Sequence, residues 1–334
     1  MNYIAKQIRG SRSFFCLAGL MTLLILSSIA SPDFRTLDNM ITILRQASTL
    51  LILSTGLTAV IITGGMDLSV GATSAFIGCV CAQFLKIGVP VAAILPIGLL
   101  IGAAVGALNG FLVSVVGLPA FVATYATNWV VKGMSIIVMN GAVIFGLPEG
   151  FTWFGTGYIG YIPVISVIAL IVVVIAYFLL QKTTWGRDIY AYGSNAEAAR
   201  YSAVNVYKTV FGAFMLCSMS AAVGGLLMTA RLNAAEAAMG DAYGLQTVAA
   251  VVVGGTSMLG GEGGVSGTVI GAILLTVIVN IMNLLGIPSS AQPMVVGGVI
   301  ITMVLVDSAS RRRDETVSKK SRNLLKTPQK GEVV

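Results

Sequence analysis

Residues 87–131 read IGVPVAAILPIGLLIGAAVGALNGFLVSVVGLPAFVATYATNWVV, with no charged side chain between Lys86 and Lys132. A helix crossing a bilayer needs about 20 mainly apolar residues, so the interval is too long for one crossing and fits two. Gly117-Leu118-Pro119 supplies the break. Proline lacks the N–H that would continue a helix, and it turns the residue before it towards extended backbone. The stretch reads as one span at about 90–115 and a second from about 119 to 140, which carries Lys132.

The same counting extends in both directions. Charge-free intervals place spans at about 14–30, 47–64 and 69–85 before this stretch, and at about 162–180 and 209–230 after it. Asp241 to Glu262 holds a short glycine-rich span, and Glu262 to Asp307 holds two, split by Gly286-Ile287-Pro288. The expectation is an all-α, polytopic helical membrane protein of about ten transmembrane helices, some broken or short. Val251-Val252-Val253-Gly254-Gly255 echoes Val60-Ile61-Ile62-Thr63-Gly64-Gly65, and Gly286-Ile287-Pro288 echoes Gly117-Leu118-Pro119. These echoes hint at an internal pseudo-repeat with unequal spacing, as in many transporters.

Composition agrees. Of 334 residues, 56% are hydrophobic and 10% charged, whereas a soluble domain carries about 25% charged residues. That excludes a soluble enzyme, a disordered chain and a nucleic-acid-binding domain. The chain has no histidine, so it offers no Ser-His-Asp or Cys-His nucleophile and no histidine-ligated metal. No catalytic residue, metal site or cofactor is expected on it. Cys16, Cys79, Cys81 and Cys217 all fall in apolar stretches and read as small buried hydrophobes.

The excess of charge, 20 Lys+Arg against 13 Asp+Glu or +7, sets orientation. With a cytoplasmic N-terminus, 15 of the 20 basic residues lie in three cytoplasmic segments, residues 1–13, 181–208 and 308–334. The opposite orientation would export nearly all of them, against the preference for positive charge inside. The domains expected are a cytoplasmic segment 1–13, a transmembrane domain 14–307 with a cytoplasmic loop 181–208, and a basic cytoplasmic tail 308–334. The loop at 141–161, with Phe151, Trp153 and Phe154, reads as lying along the opposite membrane surface.

Three stretches are not ordinary span material. Gly64-Gly65-Met66-Asp67-Leu68-Ser69-Val70-Gly71 places paired glycines and a carboxylate between two apolar runs. An aspartate at the bilayer centre costs about 2.5–3.5 kcal/mol on insertion scales. Asp67 therefore either caps the next helix or acts in a polar cavity. Gly254-Gly255-Thr256-Ser257-Met258-Leu259-Gly260-Gly261-Glu262-Gly263-Gly264 is glycine-rich, but it lacks the Gly-Lys-Ser/Thr ending of a phosphate loop. Gly64, Gly65, Asp67, Ser69 and Gly71, with Gly254, Gly255, Gly260 and Gly261, are thus read as helix-break and gating positions. In the loop 186–206, Ser194 or Asn195 caps a short helix from Ala196 to Ser202 with a flat face of Ala198, Ala199 and Tyr201. It reads equally as an amphipathic connector or as a docking helix for a soluble partner. The uncharged polar residues inside spans, Asn109, Thr127, Asn128, Asn280 and Asn283, serve either as interhelical glue or as contacts for a polar solute.

Taken together these stretches resemble the membrane-spanning permease subunits of bacterial ATP-binding-cassette importers of the ribose/galactose/xylose type. That family carries Gly-Gly-[Ile/Met]-Asp-Leu-Ser-Val-Gly after its second span, here residues 64–71. Its loop motif is matched by Gly186, Arg187, Tyr190, Ala191, Gly193, Asn195, Ala198, Ala199, Ser202, Val204 and Val206, and a third motif by residues 249–263. The similarity runs from about residue 35 to 307. Ala203 stands where the loop motif usually has glycine, and Lys132 where arginine is common.

The resemblance implies a permease for a monosaccharide or a related small polyol or sugar derivative, in the bacterial inner membrane. Its implied partners are a second permease subunit (a second copy or a paralogue), a cytoplasmic ATPase with two nucleotide-binding cassettes, and a periplasmic sugar-binding protein. ATP and Mg would sit on the ATPase subunit. The loop residues Gly186, Arg187, Tyr190, Gly193, Ser194, Asn195, Glu197, Ala198, Ala199 and Arg200 would receive that ATPase. Bulk at Gly193 or Ala199 would then uncouple ATP hydrolysis from transport. The alternative is a secondary carrier or channel for a small polar solute.

Overall fold

The computed structural model describes residues 12–299 and 301–302, with side chains from Cys16 onward. Nearly all of segment 1–13 and the whole tail 308–334 lie outside the described residues. The helices are α1 (Arg12–Ala30), α2 (Leu37–Ile62), α3 (Val70–Lys86), α4 (Val91–Ser114), α5 (Ala120–Met139), α6 (Glu149–Thr156), α7 (Val164–Lys182), α8 (Thr184–Ser194), α9 (Ala196–Tyr201), α10 (Val206–Leu232), α11 (Asp241–Val253) and α12 (Val265–Leu284). Residues 292–299 continue as helix. Among the described residues strands are confined to two-residue pairs: β1 (Ile144–Phe145) with β4 (Ala234–Ala235), and β2 (Tyr158–Ile159) with β3 (Ile162–Pro163).

Among the described residues six helices are long and apolar enough to cross a membrane, namely α2, α4, α5, α7, α10 and α12. Three shorter apolar helices accompany them, at Cys16–Ala30, Val70–Lys86 and Asp241–Val253. The protein is therefore a polytopic helical membrane protein. The expected total of about ten is reached only if the shorter helices and the segment after residue 291 count as crossings.

Prolines set several helix starts. Pro90, Pro119, Pro148 and Pro163 stand at the N-cap positions of α4, α5, α6 and α7, where a missing N–H costs nothing. α2 differs from the charge-gap expectation by starting at Leu37 rather than about 47. Thr36 caps it by accepting from the Asn39 N–H. The helix then tolerates Arg45 because the guanidinium reaches away, donating from Nη2 to the Thr156 carbonyl at 2.8 Å and lying over the Tyr158 ring.

α10 is the central pillar, packed on α2, α3 and α4. Its contact with α4 is made at Gly98, Gly102, Gly106 and Gly110. A Cβ at each would crowd α10 at Leu226, Ser218, Met215 and Phe211 respectively. Small residues at every fourth position bring two backbones together, the dominant device where lipid supplies no hydrophobic drive between helices. Several buried hydroxyls return to their own helix, as Thr58, Ser135, Thr229 and Thr276 do by donating to the carbonyl four residues back.

The bundle has two ends. At one, the turns after α2, α4, α7 and α11 gather. At the other, β1 pairs with β4, Gly155 packs on the Ala230–Arg231 backbone, and Lys86 Nζ donates to the Gly146 carbonyl. This explains the unequal spacing of the sequence echoes. The Gly64-Gly65 and Gly254-Gly255 turns lie at the same end, but the first copy holds one more helix, α3, before its second landmark. Gly117-Leu118-Pro119 and Gly286-Ile287-Pro288 consequently lie at opposite ends.

Candidate functional site

The three unusual stretches meet at one place. The Gly261 N–H donates to the Ile62 carbonyl at 2.8 Å, joining the glycine-rich break after α11 to the end of α2. α8 closes over that junction. Gly193 touches both strands of it, so a Cβ there would overlap the Ile62 carbonyl and crowd the Gly261 nitrogen. Gly260 and Gly261 both have positive φ (87° and 75°) and face Gly64, Gly193 and Ser194. Tyr190 Oη donates to the Gly263 carbonyl at 2.9 Å and accepts from Gln181 Nε2 at 3.2 Å. Burial raises the Tyr190 phenol above its ordinary value.

The loop that forms this lid is built by caps. Thr183 accepts from the Gly186 N–H and starts α8. Asn195 accepts from the Ala198 N–H at 2.9 Å and starts α9. Gly186 packs directly on the Leu180 carbonyl and Trp185 on Gly212, so α8 is fixed to α7 and α10. Gly193 and Ala199 turn inward, and the outward surface carries Arg187, Glu197, Ala198, Arg200 and Tyr201. Bulk at Gly193 would therefore break the packing of the lid before it reached any partner. Ala203 has φ +60°, which accounts for the glycine usual at that point of the motif.

Beyond the junction the chain runs inward as an extended segment, and Asp67 and Ser69 are fully buried. Asp67 Oδ1 accepts from the Ser69 N–H (2.8 Å) and from the Ser69 hydroxyl (2.6 Å). The Ser69 hydroxyl in turn accepts from Asn109 Nδ2 at 2.9 Å. Asp67 thus fastens the turn that precedes α3 rather than the first N–H groups of the helix itself. Thr124 on α5 holds the same segment, donating to the Met66 carbonyl and accepting from the Leu68 N–H.

α3 and α11 both begin inside the bundle. Gly71 and Gly240 are in backbone contact there, so two half-helix N-termini, each the positive end of its dipole, converge in the interior. Lys132 Nζ pairs with Asp241 Oδ2 at 2.7 Å at the same level.

The solute-contact candidates separate. Asn280 and Asn39 exchange amide hydrogen bonds (2.8 and 3.2 Å) across α12 and α2, so Asn280 is interhelical glue. Asn283 accepts from Gln292 Nε2. Asn109 belongs to the Asp67 cluster, Thr127 is buried on α5, and Asn128 is half-buried beside it.

A cavity of about 220 Å³ lies elsewhere, between α2, the C-terminal turn of α10, the N-terminal half of α11, α12 and the helix at 292–299. Its polar wall is Gln46, Arg231, Tyr243, Gln246, Thr276 and Gln292, and Leu50, Ala242, Leu275 and Val279 complete it. Arg231, Tyr243 and Gln292 stand near helix ends, where polarity looks merely interfacial, while Gln46 and Thr276 lie mid-helix with no motif to mark them.

Comparison with known proteins follows the same lines. The family described as "Branched-chain amino acid transport system / permease component" matches residues 39–304. The chain is 38% identical to the ribose import permease protein RbsC of Haemophilus influenzae, over 91% of this chain and 95% of that one. It is 40% identical to RbsC of Bacillus subtilis (86% and 90%) and 33% identical to the galactose/methyl galactoside import permease protein MglC of Salmonella typhimurium (88% and 93%). No solved structure matches it.

Proposed function

The chain belongs to this family of transport-system permease components, and from that premise we propose that it is the membrane-spanning subunit of an ATP-binding-cassette importer for a monosaccharide or a closely related polyol or sugar derivative. It is a transport component rather than an enzyme. The observation that carries the reading is the junction of Ile62, Gly193 and Gly261. The segment exposed for a soluble partner is the same segment that clasps both helix breaks.

The mechanism follows from that contact. A cytoplasmic ATPase bound to the outward surface of α8 and α9 moves the lid, and the lid moves the turns at 63–69 and 254–264. These turns set the positions of α3 and α11, whose inner ends meet at Gly71 and Gly240. The interior therefore switches access without any nucleotide chemistry on this chain. The placement of basic residues supports a cytoplasmic lid and cytoplasmic termini in an inner membrane. A second permease subunit completes the pathway, and a periplasmic binding protein delivers the solute at the 141–161 face. The names of the relatives, which specify ribose and galactose import, support the sugar class.

Proteoliposomes containing the chain, with and without its ATPase subunit and binding protein, test the reading. Labelled sugar should accumulate only with all components and ATP. Uptake by the chain alone, driven by an ion gradient, would replace the importer with a secondary carrier.

A further inference from the structure

The 220 Å³ cavity holds a cation without a counterion. Arg231 forms no ion pair with any described carboxylate, and its Nε is buried without a partner. Its Nη2 reaches only the Tyr243 hydroxyl, at 3.5 Å. Arg231 is half-buried, so it gives up part of its hydration without a carboxylate in exchange, at some cost. Arg231 sits in the last turn of α10, where the helix dipole offsets part of that cost but supplies no bidentate acceptor.

Thr276 and Gln292 are already engaged with Ala272 and Asn283, but two glutamines of the cavity are free. The side-chain amides of Gln46 and Gln246 have no hydrogen-bond partner among the described residues. Each offers a donor and an acceptor, the pair that a row of hydroxyls needs. The N-terminal turn of α11 borders the same space through Tyr243 and adds positive potential. The volume lies below the roughly 300–1,000 Å³ of sites for drug-sized ligands, which suits a single sugar.

We propose that this cavity is a solute-binding site and that Arg231 makes it selective for a hydroxylated carboxylate, an aldonate or uronate, over the neutral sugar. The guanidinium fork matches a carboxylate bidentately, and the glutamines take the hydroxyls. This deepens the importer reading and rests on it.

The test uses the full chain in lipid nanodiscs, titrated calorimetrically with D-galacturonate and with D-galactose, which differ in the carboxylate. Galacturonate should bind at least about tenfold more tightly. Arg231→Gln should erase that difference. Should this variant fail to fold, Gln246→Glu keeps the guanidinium but gives it a neighbouring carboxylate, and should also abolish the preference. Equal binding of the two probes, binding of neither, or a galacturonate preference that survives in a folded variant overturns the proposal. The assay contains no ATPase, so such a failure leaves the ATP dependence of uptake, and with it the importer reading, untouched.

Discussion

Ala203 and Asp67 show how single residues bear on the lid and the break. A left-handed backbone costs an L-residue about 1–2 kcal/mol, and Ala203 adopts one at φ +60°. Ala203→Gly should therefore stabilise the purified protein by about 1 kcal/mol, read as a higher midpoint of thermal unfolding in detergent. Asp67 accepts two hydrogen bonds through one oxygen, at about 1 kcal/mol each. Asp67→Asn keeps that acceptor and should hold the wild-type midpoint closely. Asp67→Ala should lose about 2 kcal/mol in the same assay. At this scale the sequence was partly legible. A cap at Ser194 or Asn195 follows from side-chain chemistry, and the motif marks Ala203 as a departure from glycine. The pairing of Asn280 with Asn39 does not, because 241 positions separate two residues whose contact only the packing of α2 on α12 creates.

Among the elements, α8 and α9 divide their labour. α8 faces the helix breaks through Tyr190 and Gly193, and α9 faces outward through Glu197, Arg200 and Tyr201. Tyr190→Phe removes the link to the Gly263 carbonyl while leaving the outward surface intact. It should preserve co-purification of the ATPase subunit yet lower the sugar moved per ATP hydrolysed. Tyr201→Asp, on a side chain 92% exposed, should do the reverse, losing co-purification with the unfolding midpoint unchanged. Helix positions were legible because membrane-crossing length and charge-free intervals are one-dimensional properties. α8 was not, because its capping threonine lies within a polar loop and its buried face is only Gly186 and Ile189. The cavity was hidden for a related reason, since its walls come from five helices and no short motif contains them.

For the whole molecule, the arrangement at the two ends can be checked directly. All four cysteines are buried, so an engineered one reports alone. A cysteine replacing Tyr201 should react with an impermeant maleimide only from the cytoplasmic side of inverted vesicles. One replacing Tyr161, which is 91% exposed, should react only in intact spheroplasts. Labelling of both from one side would break the assignment of the two ends.

The glycine stripe of α4 has a consequence for inheritance as well as for packing. Positions 102, 106 and 110 admit no side chain against the backbone of α10, while exposed neighbours such as Leu100 and Leu108 admit many. Saturation mutagenesis of residues 95–113, scored by growth on the transported sugar, should beat in fours, with glycine alone surviving on each beat. The chain's freedom to drift through the opening stretch is thus metered by the pitch of a single helix–helix seam.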